Sequence, residues 1–222
     1  MKKAFVITIT SFAESLNLAK RCIDSSKKYS GPEVTIFPAI TPKDQPSTIM
    51  ANENLSISKF IGNRYSRFEN VVSCFLSHYF LWKYCIELDE PILILEHDSV
   101  FTTKLDWNSI QFDRIINVGK PSFGNFKTQN KAGVHRLFSK RYFPGGHAYM
   151  IKPTGAKQII EYARKNGPEP TDVFLDLNNF SWLQEYYPWP IEVQETFSTV
   201  QLETGSKAKH AYGEKYRCVE IN

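Results

Sequence analysis

The sequence lacks the features that mark several common protein classes. Its four cysteines, Cys22, Cys74, Cys85 and Cys218, are scattered and form no CxxC pair, which removes zinc-ribbon and dithiol-redox motifs. Cys22, Cys74 and Cys85 fall in helical patterns and read as buried thiols. No apolar run approaches the roughly 20 residues of a membrane-spanning helix. The apolar segment after Met1-Lys2-Lys3 is too brief for a signal-peptide core. There is no internal repeat, and no linker is long enough to separate a pair of domains. A strong excess of one charge is also missing. The 27 Lys and Arg against 23 Asp and Glu leave a net charge of +4, which permits an anionic partner without requiring one. These absences lead us to expect a soluble, cytoplasmic, single-domain protein over 1–222.

What is present is core-forming material. Apolar residues make up 42% and aromatics 14% of the 222 residues, enough for a sizeable core and too much for a disordered chain. Residues 4–10 (AFVITIT) read as a strand. Residues 11–29 read as a helix, with Leu16, Ala19, Cys22 and Ile23 at helical spacing and Ser11 or Ser15 as its cap. Gly31-Pro32 stops that helix, and 34–40 (VTIFPAI) reads as a second strand. This βαβ opening favours a parallel sheet and a nucleotide-type α/β fold. Residues 41–54 read as a loop. Residues 69–88 form the clearest helix, with Val72, Phe75, Leu76, Tyr79, Trp82 and Ile86 on one apolar face. Further strands are expected at 114–118, 148–152 and 191–194, and helices at 156–165 and at 171–178, the latter capped by Thr171. Residues 119–143 show little periodicity and read as a long functional loop.

The most informative stretch is Pro91 to Phe101 (PILILEHDSVF). Four large apolar residues in a row read as a strand buried on both faces. That strand runs into Glu96 and Asp98. Carboxylates at the carboxyl end of such a strand sit where α/β sheets bind ligands, and they suit a hard divalent cation and the phosphates it carries. Glu96 and Asp98 are two residues apart, so an unbroken strand places them on one face and His97 on the other. An acidic turn without a ligand is the competing reading.

Several motifs, in order, carry a resemblance. They are Phe37-Pro38-Ala39, the helix segment Cys74-Phe75-Leu76-Ser77-His78-Tyr79, the acidic strand at 92–101, the strand-turn-helix at 148–156 and Pro170-Thr171-Asp172. Together they resemble glycosyltransferase family 25, the lipopolysaccharide-type sugar transferases, in a divergent form such as a phage might encode. The resemblance implies a single Rossmann-like A-type α/β domain, with a mixed, mostly parallel sheet flanked by helices. It divides the chain into a nucleotide-sugar half (about 1–118), an acceptor half (about 119–204) and a basic tail (205–222). It also implies a nucleoside-diphosphate sugar donor, expected to be a UDP-sugar, and Mn²⁺ or Mg²⁺. Two departures stand out. His97 occupies the place of a carboxylate in the family's acidic triplet, and Thr10-Ser11-Phe12-Ala13-Glu14 replaces an arginine-bearing motif after the first strand.

Sugar transfer needs a neutralised leaving diphosphate, a base for the acceptor hydroxyl and an oriented anomeric centre. Asp98 is the leading metal ligand. Glu96 is a second ligand, a group that orients the first, or a structural cap. Asp172 matches the family's proline–aspartate element and is the candidate base, with Asp176 as fallback; a plain helix-terminal carboxylate is its competing reading. Ser77 and His78 are placed near the donor by the resemblance, and a structural histidine is the alternative there. His147, after two glycines, is read as a sugar or diphosphate contact or as a turn residue. Thr8, Thr10 and Ser11 are candidate nucleotide contacts, and His210 in the basic tail an extra metal ligand. Three stretches mix cations with aromatics: 59–68, 126–142 and 207–217. They suggest a polyanionic acceptor, either a hydroxymethylated base in DNA, toward which the reading leans, or a lipopolysaccharide core. A non-catalytic nucleotide-sugar-binding or carbohydrate-binding relative is the rival class, for which His97 is the main argument.

Overall fold

Strand β1 (Lys3–Thr8), helix α1 (Ala13–Lys28) and strand β2 (Val34–Pro38) form the expected opening unit. A computed structural model describes residues 3–61, 66–194, 197–202 and 217–221 of the chain. A single 3₁₀ turn at Pro42–Asp44 follows, then α2 (Pro46–Asn52) and the long α3 (Phe68–Leu88). Next come β3 (Ile92–Glu96), β4 (Ser99–Phe101), β5 (Ile115–Asn117), β6 (Gly133–Arg136) and β7 (Ala148–Ile151). The remainder is α4 (Pro153–Asn166), α5 (Thr171–Phe174), β8 (Gln184–Tyr187), β9 (Ile191–Val193), β10 (Phe197–Ser198) and β11 (Arg217–Cys218).

Seven strands form one sheet in the order β2-β1-β3-β7-β5-β8-β6. The pairings are parallel for β2–β1, β1–β3 and β5–β8 and antiparallel for the rest. Followed across the sheet, five strands run one way and only β7 and β6 run the other. This is the mixed, mostly parallel α/β sheet expected from the sequence. The apolar run of β3 is buried on both faces: Ile92, Leu93, Ile94 and Leu95 are each at 0% exposure. Ile92 and Ile94 pack with Phe75, Tyr79 and Trp82 of α3 in one core. Leu93 and Leu95 pack with Ala19 and Cys22 of α1 in the other. The same alternation in β1 sends Phe5 and Ile7 one way and Ala4 and Val6 the other. With helices on both faces, β3 has no polar side to show, which is why its sequence is continuously apolar.

Several local expectations are corrected. Residues 41–54 are helical in part, because Pro46 sits at the first turn of α2, where its missing N–H costs nothing. The stretch 119–143 contains β6, which pairs with β8. Neither Ser11 nor Ser15 caps α1. Its cap is Phe12, and the Ser15 hydroxyl instead accepts a hydrogen bond from the Ile9 amide at 2.9 Å. Leu16, expected on the buried stripe, is 37% exposed. Helix α4 begins at Pro153 rather than 156, and α5 ends at Phe174 with Pro170, not Thr171, as its cap.

Helix α4 approaches the chain entering β5 closely. A Cβ on Gly155 would lie 2.7 Å from the Arg114 carbonyl oxygen. Helix propensity favours alanine over glycine by about 1 kcal/mol, whereas overpacking against backbone costs about 1–3 kcal/mol. We therefore expect Gly155→Ala to lower stability in urea denaturation by about 1–2 kcal/mol. A stabilised variant would contradict the close approach.

Candidate functional site

Strand β3 ends at Glu96, and residues 97–98 turn the chain into β4. The turn is pinned by backbone. The His147 carbonyl accepts hydrogen bonds from the Glu96 amide and the Ser99 hydroxyl, both at 2.8 Å. The Asp98 carbonyl accepts one from the Gln194 amide at 3.0 Å. Because the strand stops at Glu96, its two-residue alternation does not extend to Asp98. His97, expected to face away from its neighbours, instead lines the same cleft as Glu96 and Asp98. The His97 ring stacks on Phe197, with centroids 5.5 Å apart. Its Nδ1 lies 3.1 Å from the Ser15 hydroxyl. The same hydroxyl accepts from the Ile9 amide, so Ser15 links the ring to the backbone after β1. His97 therefore braces the turn against α1 and β10.

Two clefts meet at this turn, of about 700 and 740 Å³. The first opens at the carboxyl ends of β1 and β2, where Ile7, Ile9, Ile40, Pro42 and Phe197 give it an apolar lining. The second is flanked by Ser122, Phe123, Gly145, Thr171, Asp172 and Gln201. Cys74, Glu96 and Asp98 line both, so they form the wall between them.

The electrostatics of this wall follow from burial. Asp98 is 5% exposed, and its Oδ1 accepts no hydrogen bond among the described residues. Leaving a buried carboxylate oxygen unpartnered is costly. The Glu96 carboxyl is held well above the usual carboxylate range, first by desolvation and then by the neighbouring Asp98 charge. His78 is fully buried, and desolvation pushes it down to about 3, so its ring is neutral. A chain of polar groups fixes that ring. The Trp82 indole N–H donates to the Tyr149 hydroxyl at 2.8 Å, Tyr149 and His78 Nδ1 are 2.9 Å apart, and His78 Nε2 lies 3.2 Å from Glu96 Oε1. Indole can only donate. The Tyr149 hydroxyl therefore accepts from Trp82, and the proton positions on the two His78 contacts follow the ring's tautomer. Asp172, half-buried in the first turn of α5, is raised to about 6, chiefly by desolvation and partly by Glu96, against the Val173 amide that donates to its Oδ1 at 2.9 Å.

Other expected site residues fall elsewhere. The Ser77 hydroxyl lines the first cleft but is committed to backbone, accepting from the Ile40 amide and donating to the Ser73 carbonyl, both at 2.9 Å. Thr8 is buried and donates to the Val6 carbonyl at 3.0 Å, and Thr10 and Ser11 are exposed; none of the three lines either cleft. The His147 side chain lines neither cleft. It packs under Gly119, where a Cβ would meet its Nε2 at 2.4 Å, and desolvation lowers it to about 4. Its backbone, not its ring, serves the site. Asp176 is taken up by Arg141 Nε and the Asn178 amide, both at 2.7 Å. His210 lies outside the described residues.

Cys74, expected to be a buried thiol, places its Sγ 3.9 Å from Glu96 Oε1. Donor atoms of Cys74, His78 and Glu96 all lie within 4.8 Å of one another. The signal was the four-residue spacing of Cys74 and His78, which puts both on one helix face. Such a donor set can hold a divalent cation, and the unpartnered Asp98 oxygen lies on the same wall outside that cluster. A carboxylate beside nitrogen and sulfur suits Mn²⁺ or a softer ion better than Mg²⁺.

The sequence model described as "Glycosyltransferase family 25 (LPS biosynthesis protein)" matches residues 1–175. The chain belongs to glycosyltransferase family 25. No curated protein matches it. Among solved structures, the apo-form glycosyltransferase GlyE of Streptococcus pneumoniae is 14% identical, with 83% of this chain covered and a TM-score of 0.44. This chain spans only 45% of GlyE. The CTP:phosphocholine cytidylyltransferase LicC of Streptococcus pneumoniae is 11% identical, with 85% of this chain and 91% of that chain covered and a TM-score of 0.39. The family match, not these distant likenesses, carries the assignment. No helix of the described residues is long and apolar enough to cross a membrane.

The Trp82–Tyr149–His78–Glu96 chain generates a test. Tyr149→Phe leaves the indole N–H and His78 Nδ1 buried without partners, at a cost of about 1–3 kcal/mol. Urea denaturation should show a loss of that size. A loss below about 0.5 kcal/mol, the range of a neutral substitution, would contradict the chain.

Proposed function

We propose that this family 25 member is a metal-assisted glycosyltransferase that moves a sugar from a nucleoside-diphosphate sugar, a UDP-sugar being the expected donor, to an acceptor hydroxyl. The observation that carries the reading is the buried, unpartnered Asp98 oxygen on the wall between the two clefts. The apolar first cleft, at the carboxyl ends of β1 and β2, suits the nucleoside. It draws chiefly on residues before 118, and the second cleft chiefly on residues after 119, which supports a donor half and an acceptor half.

Asp98 and Glu96 would hold the cation, with Cys74 and His78 within reach. A bound divalent cation supplies positive charge against the leaving diphosphate. Asp172 faces the second cleft. Its Oδ1 is held by the Val173 amide, and the other oxygen takes the proton of the acceptor hydroxyl. That hydroxyl oxygen then bonds the anomeric carbon as the bond to the diphosphate breaks, and the electron pair leaves with the diphosphate. An acid raised to about 6 is a stronger base than an ordinary carboxylate and is still ionised at neutral pH. His97, the main argument for a non-catalytic relative, has a structural task against Ser15 and Phe197, so it does not weigh against catalysis.

A saccharide is the acceptor the observations favour. The family description is an LPS biosynthesis protein. Among the described residues the second cleft sets one aromatic ring, Phe123, beside Ser122, Asp172 and Gln201, whose polar groups suit sugar hydroxyls. Hydroxymethylated DNA, suggested by the cation–aromatic stretches, is the second reading.

The test is transfer and slow hydrolysis of labelled nucleotide sugars. Asp98→Ala should abolish both with an unchanged circular dichroism spectrum; full activity would overturn the proposal. Asp172→Asn should cut kcat by about 10²–10⁴. In the wild type, kcat should fall as pH drops through about 6, since a protonated Asp172 cannot accept the hydroxyl proton. A profile flat from pH 5 to 8 would remove Asp172 as the base.

A further inference from the structure

Beside the second cleft lies a shallow groove in the segment expected to be a long loop, lined by Phe126, Lys127, Phe138, Lys140, Arg141 and Tyr142. Phe138 is 49% exposed, a large ring left in water. The Lys127 ammonium lies 5.0 Å from its centroid. The Lys140 ammonium lies 4.8 Å from the Phe123 ring and 5.5 Å from the Tyr142 ring. Arg141 is engaged by Asp176 at 2.7 Å. Neither Lys127 nor Lys140 has a carboxylate of the described residues within ion-pair distance. Lys140 is half-buried, and desolvation lowers its pKa. A desolvated ammonium held by rings alone lacks the partner that would offset its burial.

The groove and the second cleft are neighbours. Phe123 lines the cleft, Tyr142 lines the groove, and their rings are 6.3 Å apart. Asp172 acts electrostatically on Tyr142, so the candidate base lies close to the junction. An acceptor seated at Asp172 and extending outward would pass Lys140 next.

We propose, resting on the glycosyltransferase reading, that this groove is an outer acceptor subsite for an anionic saccharide, in which Lys140 reads a phosphate or carboxylate one unit from the reacting hydroxyl and Phe138 supports a sugar ring. Charge complementarity gives the class of the group, since an ammonium recognises such anions as a point charge. The aromatic layout favours sugar over nucleic acid. Single-strand binders present rings on which successive bases stack. Here Phe126 packs against Trp189 and Tyr142 on Phe123, and both rings are half-buried, so Phe138 is the one exposed ring among those named in the groove.

The test is calorimetric binding, without nucleotide, of deacylated lipopolysaccharide core oligosaccharide to the full chain. Three forms are compared: native, dephosphorylated and carboxyl-reduced. We expect one of the two treatments to weaken binding by about tenfold, which is roughly 1.4 kcal/mol, and which treatment does so identifies the anion. Lys140→Gln should reduce the difference to less than about twofold, Lys140→Arg should keep it, and Lys20→Gln on α1 should not change it. Melting temperatures check that each variant is folded. Equal binding of all three forms, or a difference that survives Lys140→Gln, overturns the subsite. Tighter, Lys140-dependent binding of single-stranded oligothymidylate overturns the saccharide class. Labelled nucleotide sugars are still hydrolysed by the wild type if only this subsite is wrong, and they are not if the glycosyltransferase reading itself is wrong.

Discussion

The site depends on the burial of β3 on both faces. Ile92 and Ile94 are locked into the core under α3, and Leu93 and Leu95 into the core under α1. A strand packed in this way cannot slip by one residue without exchanging its two faces between two differently shaped cores. The acidic turn that follows is therefore set in place by packing rather than by its own sequence. The His147 carbonyl ties the last amide of β3 and the hydroxyl that begins β4. Asp98 can then sit buried with an unpartnered oxygen, a strain that an isolated turn would relax by exposing the carboxylate.

The same packing explains why neutral and charged groups are arranged as they are. Helix α3 brings Cys74 and His78 to the wall on successive turns, and full burial holds His78 neutral. A neutral ring held between Tyr149 and Glu96 adds no charge to the wall. Asp172 approaches the wall from α5, on the side of the second cleft. On the proposed reading, this arrangement sets the metal-type donors on the shared wall and the base on the side of the second cleft, as displacement at an anomeric carbon requires.

Much of the fold could be read from the sequence because it rests on local periodicity. The alternation in β1, the broad apolar face of α3 and the continuous apolar run of β3 each declare both element and environment. Glu96 and Asp98 were legible because they follow that run directly. The misses have physical causes. Helix α2 was hidden by polar composition, and the proline at its first turn reads equally as a loop. Strand β6 was hidden because it is short, partly exposed and made by pairing with β8 rather than by its own pattern. The turn at His97 breaks the alternation on which the expected side-chain directions relied. Contacts made only by the tertiary fold left no local trace: Tyr149 reaching His78, Phe197 stacking on His97 and Phe123 bordering Lys140. The candidate nucleotide contacts Thr8, Thr10 and Ser11 show the reverse error, since the end of a strand was legible but the direction of its side chains was not.

The central claim is that the wall of Glu96 and Asp98 holds a cation that carries a nucleoside diphosphate. The most direct measurement is the thermal shift produced by UDP with and without Mn²⁺, in the wild type and in Asp98→Asn. Ligand at about 100 times its dissociation constant stabilises the folded protein by roughly 2.7 kcal/mol, a shift of several degrees for a chain of this size. The account predicts that shift only when UDP and Mn²⁺ are both present, and its loss in Asp98→Asn. An equal shift by UDP without Mn²⁺, or one that Asp98→Asn retains in full, would contradict it.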